Sequence, residues 1–136
     1  MIRHLSKWCL LSSFVACASL AQESEPSTHA AKWVFEEAAA LSKRDAGTLW
    51  GMELDGPMLL VEPESRRVVA NRSTEALVHS GDLYVGVLPD SVGIANTSMN
   101  WAGREWTMLM WPLPEDDYDR RSLIAHELWH RIQDEL

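Results

Sequence analysis

The stretch Arg120–Leu136, RRSLIAHELWHRIQDEL, decides how this chain is read. At about 100° per residue, with His126 at zero, Ile124, Ala125, Leu128, Trp129, Ile132 and Leu136 fall in an arc from about 160° to about 300°. His126 and His130 fall outside that arc, at about 0° and 40°. The spacing predicts an amphipathic helix that packs its apolar side on a core and turns both histidines away. Within it, His126-Glu127-Leu128-Trp129-His130 has the order H-E-x-x-H. Histidines four apart sit one above the other on a helix face. Their imidazoles can then converge on one Zn²⁺ at about 2.0–2.1 Å. Glu127 projects toward the same cleft, where a carboxylate can take a proton from activated water and pass it to a leaving amine. His126 and His130 are therefore candidate zinc ligands, and Glu127 is the candidate catalytic residue.

Working outward from this helix, Pro112-Leu113-Pro114 closes the region before it. One of Asp116, Asp117 or Asp119 is expected to cap it, because negative charge is favourable at a helix N-terminus. Thr48–Pro112 consists of short apolar runs between turn residues. The strand candidates are Leu49–Leu54, Met58–Val61, Arg67–Ala70, Asp82–Leu88, Ile94–Met99 and Arg104–Trp111. Glu62-Pro63-Glu64-Ser65 reads as a hairpin turn, and Ser73–His79 as a short helix capped by Ser73 or Thr74. In Arg104–Trp111, Trp106, Met108 and Met110 alternate with Thr107 and Leu109, as in a strand partly covered on both faces. Upstream, Ala30, Trp33, Val34, Ala38 and Leu41 have helical spacing over His29–Arg44, with Gly47 as the stop. The expected fold class is α+β: an N-terminal helix, a mainly antiparallel twisted sheet of five or six strands, and a C-terminal helix bearing H-E-x-x-H.

A motif helix that follows a strand and a proline-containing turn resembles the zincin zinc metallopeptidases. The resemblance covers about Arg104–Leu136. It implies a zincin-like N-terminal half-domain over 29–136, with Zn²⁺ as cofactor and a peptide or protein as substrate. The implied activity is peptide-bond hydrolysis by zinc-activated water. By the same resemblance, Arg104–Trp111 would be an edge strand that binds substrate antiparallel. Gln133 stands where the metzincin continuation requires glycine. Deformylases take an upstream cysteine ligand, and the body of this chain contains none. What remains is gluzincin-like or aspzincin-like, with a Glu or Asp ligand from a later helix.

A catalytic zinc has three protein ligands and an open position. Asp134 shares the histidine face but lies about 12 Å from His126 along the helix axis. His79 is the internal alternative. The chain is accordingly expected to be the N-terminal part of a longer enzyme, inactive by itself. A rival expectation is a secreted or lipid-anchored binding module that keeps the motif helix without catalysis.

Composition bounds these readings. The chain has 136 residues, 12 Lys+Arg against 20 Asp+Glu, and 46% hydrophobic residues. That suits one small globular domain and argues against disorder. A net charge of −8 argues against a nucleic-acid partner. Arg3 and Lys7 precede thirteen mostly apolar residues, Trp8–Leu20, and Ser19-Leu20-Ala21 suits a cleavage site. Residues 1–21 thus read as a secretory signal and 22–28 as a polar linker, placing the protein in the periplasm or outside the cell. Phe14-Val15-Ala16-Cys17 resembles a lipobox, which would anchor the protein through lipidated Cys17. Cys9 and Cys17 both lie in this leader, so the mature chain is expected to have neither disulfide nor thiolate metal site. No later apolar run is long enough to span a membrane.

Overall fold

The computed structural model describes residues 25–136. The expected signal segment, the lipobox-like stretch at Cys17 and the start of the expected linker lie outside the described residues. Pro26 is buried, and Ser27 begins the first helix by accepting a hydrogen bond on Oγ from the Ala30 N–H at 3.1 Å. Helix α1 (Thr28–Asp45) buries Ala31, Val34, Phe35, Ala38 and Ser42, a stripe with helical repeat. It ends where Ala46 adopts a left-handed conformation (φ 48°) and donates its N–H to the Ser42 carbonyl.

Six strands follow: β1 (Met58–Val61), β2 (Arg67–Ala70), β3 (Val78–Ser80), β4 (Leu83–Val87), β5 (Thr97–Trp101) and β6 (Arg104–Met110). They form one sheet in the order β3-β4-β2-β1-β6-β5. The β1–β6 pair is parallel and the other pairs are antiparallel, so the sheet is mixed. Alternation divides its side chains between two faces. Met58, Leu60, Val69, Leu83 and Leu109 pack with the helices. Leu59, Val61, Val68, Ala70, Trp106 and Met108 form a second core on the opposite face, joined by Leu77 and Leu88. Strand β1 is covered on both faces, which accounts for its unbroken apolar sequence MLLV.

The structure revises several expected elements. Leu49–Leu54 is not a strand. Positive φ angles at Gly47 (71°) and Gly51 (76°) curl it into turns, leaving Leu49 75% exposed and only Leu54 buried. Ser73–His79 is not a helix. Its end joins β3, paired with β4 across a two-residue turn that begins at Gly81 (φ 63°). The strand expected at Ile94–Met99 lies at Thr97–Trp101, because the turn Ala102-Gly103, both with positive φ, sets its register against β6. Strand β6 is also not an edge. It pairs with β1 on one side and β5 on the other, so the edges are β3 and β5. Strand β1 pairs with Thr107–Met110 and β5 with Arg104–Met108, so β6 is not available along its length as an edge for a substrate strand.

Helix α2 (Asp117–Ile132) packs against β5, β6 and α1, and continues into a 3-10 turn at Gln133–Glu135. Asp116 is the cap, its Oδ1 accepting from the N–H groups of Tyr118 (2.9 Å) and Asp119 (3.0 Å). An ion pair between nearly buried side chains joins the two helices: Arg120 Nε donates to Glu37 Oε2 at 3.0 Å. Arg121 donates to the other Glu37 oxygen at 2.8 Å, and the Arg120 guanidinium lies 4.5 Å from the centroid of Trp33. At the other end of α2, Arg131 Nη2 donates to the carbonyls of Leu54 (3.1 Å) and Asp55 (2.9 Å). These contacts fix the rotation and tilt of the motif helix on the sheet. Among the described residues, no helix is long and apolar enough to cross a membrane.

Candidate metal centre

Helix α2 buries Ile124, Leu128 and Ile132, as its periodicity predicts. Its buried arc is rotated from the expected one. Glu127 and Arg120 are buried, Ala125 and Trp129 are half-buried, and Leu136 is 63% exposed. An apolar arc marks the centre of a packed face but not its margins. Here those margins are set by the ion pairs to α1 and by the Arg131 contacts.

His126 is exposed and His130 half-buried. Their Nε2 atoms face each other at 3.0 Å, with the rings perpendicular and their centroids 4.5 Å apart. Two imidazoles bound tetrahedrally at about 2.0–2.1 Å would hold their nitrogens about 3.3 Å apart. The separation of the two nitrogens is therefore within a few tenths of an ångström of that in a chelating pair, and imidazole is a ligand type that suits Zn²⁺. His130 Nδ1 lies 2.9 Å from Gln133 Oε1. Sequence reasoning treated Gln133 only as a departure from a metzincin pattern. The available signal was its position three residues after a candidate ligand.

Glu127 is 4% exposed, and among the described residues its Oε2 is buried without a hydrogen-bond partner. Burial pushes its carboxyl above the ordinary glutamate range, and charge on His126 and His130 acts in the opposite direction. A carboxyl whose charged form is disfavoured in this way takes up a proton more readily than an exposed glutamate. Trp129 forms one wall beside the pair, with ring centroids 5.1 Å from His130, 6.3 Å from His126 and 5.8 Å from Trp50.

His79 does not join this group. It lies on edge strand β3, four strand positions from β6, or about 19 Å at the usual strand spacing. Its ring packs edge-on against Tyr84 at 5.3 Å, and Tyr84 packs with the sheet face away from the helices. Asp134 is exposed in the terminal 3-10 turn. Among the described residues, no group of three or more His, Cys, Asp or Glu is arranged to hold a metal ion. The structure thus brings His126 and His130 together, sets Gln133 beside His130, leaves Glu127 buried on the same helix, and places His79 elsewhere. Compared with known proteins, the chain matches no family model, no curated protein and no solved structure.

Proposed function

We propose that this protein is a zinc-dependent hydrolase of peptide bonds, acting on peptides or proteins outside the cytoplasm. The observation that carries the proposal is the pair of Nε2 atoms, 3.0 Å apart on adjacent turns of α2. His126 and His130 hold the metal. A third protein ligand, needed for a catalytic shell, comes from outside the described residues. When bound, Zn²⁺ supplies Lewis acidity that lowers the pKa of water and polarises a carbonyl. Glu127 accepts a proton from the attacking water and then donates it to the leaving amide nitrogen. Its burial excludes bulk water from that exchange and strengthens the charge interaction with the site. The open edge of β5, rather than β6, is the strand available to pair with an extended substrate.

Zinc content and peptide hydrolysis, measured together, test this reading. In the protein with its complete ligand shell, Glu127→Gln should retain zinc and lose about 10²–10⁴ in rate. His126→Ala should lose both zinc and activity. The 136-residue chain should bind zinc weakly and release it on dialysis, since affinity depends on a complete, oriented shell. A Glu127→Gln protein that cleaves peptides at the wild-type rate would overturn the mechanism. Equal zinc content in wild type and His126→Ala would overturn the site.

A further inference from the structure

We infer that Gln133 is a positioning residue whose side-chain carbonyl holds His130 in the Nδ1–H tautomer, leaving the Nε2 lone pair free for a divalent cation. The inference deepens the zinc reading above and rests on it. A carbonyl oxygen only accepts hydrogen bonds, so the 2.9 Å contact between Nδ1 and Gln133 Oε1 requires the hydrogen to be on Nδ1. A neutral imidazole carries one N–H, and Nε2 of His130 is then bare. Without metal, that lone pair accepts from the His126 Nε2–H across the 3.0 Å gap. His130 is thereby ready to bind an ion through Nε2, whereas His126 has to give up its Nε2 hydrogen as the ion arrives.

Local backbone geometry makes the contact possible. Helix α2 ends at Ile132, and Gln133–Glu135 winds more tightly as a 3-10 turn. Tighter winding brings side chains three apart into register, which places Gln133 over His130. Trp129, with its ring centroid 5.1 Å away, packs against the same imidazole and restricts its rotation. Ligating histidines commonly donate their second ring nitrogen to an acceptor that fixes tautomer and orientation, and loss of that acceptor weakens metal binding by about 10–100-fold. Gln133 is exposed, so an effect at the lower end, about tenfold, is expected.

Nitrogen-15 NMR of the metal-free 136-residue chain, at a pH above the histidine titration range, reads the tautomer directly. Zn²⁺ titrations then compare wild type with Gln133→Leu and Gln133→Glu, and thermal unfolding of the metal-free proteins controls for folding. Wild-type His130 should be the Nδ1–H tautomer. Gln133→Leu should shift it toward Nε2–H and weaken Zn²⁺ binding about tenfold, with the metal-free unfolding temperature unchanged. Gln133→Glu should keep the tautomer and bind Zn²⁺ at least as tightly. An Nε2–H tautomer in wild type, or equal Zn²⁺ affinity in Gln133→Leu, overturns the inference. A wild-type chain with the Nδ1–H tautomer and no affinity for Zn²⁺ overturns the zinc reading instead, leaving the role of Gln133 in setting the ring intact.

Discussion

Replacing Glu127 with methionine should make the metal-free protein more stable. Glu127 is 4% exposed, and its Oε2 has no hydrogen-bond partner among the described residues. A polar group buried without a partner costs about 1–3 kcal/mol, and a charged one costs more. Methionine has a similar length, a similar helix propensity and no polar hydrogen to satisfy. It also adjusts to irregular space, so little strain is expected. The net gain should be about 1–2 kcal/mol. For a domain of this size, that raises the unfolding temperature by roughly 4–10 °C. Urea titration and calorimetry at neutral pH, with a chelator present, measure both quantities. The slope against urea should stay constant and the midpoint should rise. Zinc binding through the histidines should persist while hydrolysis is lost. A lower midpoint at unchanged slope would mean that the carboxylate supports the fold, and it would refute the argument that Glu127 is retained for chemistry at a cost in stability.

Other expectations concern how α2 is held. Arg120→Ala removes one partner of a nearly buried ion pair and should destabilise the fold by about 3–5 kcal/mol in urea titration. Arg121→Ala, at a half-exposed site on the same glutamate, should cost less than about 1 kcal/mol. Burial raises the Glu37 carboxyl, but hydrogen bonds from Arg120 and Arg121 outweigh it and hold it below its ordinary value. Its stabilising contribution is therefore complete above the ordinary glutamate range and lost as pH falls through the lowered value. Glu37→Gln should flatten the acid limb of a stability–pH profile, and an unchanged limb would remove Glu37 from that account. A Cβ at Gly56 would lie 2.5 Å from Arg131 Cζ, so Gly56→Ala should displace the guanidinium and break its bonds to Leu54 and Asp55. Gly56→Ala and Arg131→Ala should each destabilise, and their double mutant should fall short of the sum.

The sequence by itself determined the elements whose cause is local. The period of Ala30, Trp33, Val34, Ala38 and Leu41 marks α1, although packing buries Ala31 and Phe35 and leaves Trp33 47% exposed, and Met58–Val61 and Arg67–Ala70 form a hairpin because turn residues separate two apolar runs. The spacing of His126 and His130 likewise follows from helix geometry alone, so the pair was legible before any fold was known. What only the tertiary structure decided depends on neighbours distant in the chain. Leu49–Leu54 has a strand-like composition but no partner, and positive-φ turns expose it. Strand β6 lost its expected edge because the Ala102-Gly103 turn folds β5 against it, a matter of pairing that alternation cannot report. His79 and His126 are both histidines in the body of the chain, yet sheet order puts β3 and β6 four positions apart. The burial of Glu127 depends on how the Glu37–Arg120 pair and the Arg131 contacts rotate α2, and the contact of Gln133 with His130 depends on where that helix tightens. Periodicity encodes which face of an element is apolar. The elements that cover its margins are chosen by packing across the whole molecule, and that choice makes an exposed His126, a half-buried His130 and a buried Glu127 neighbours on one helix.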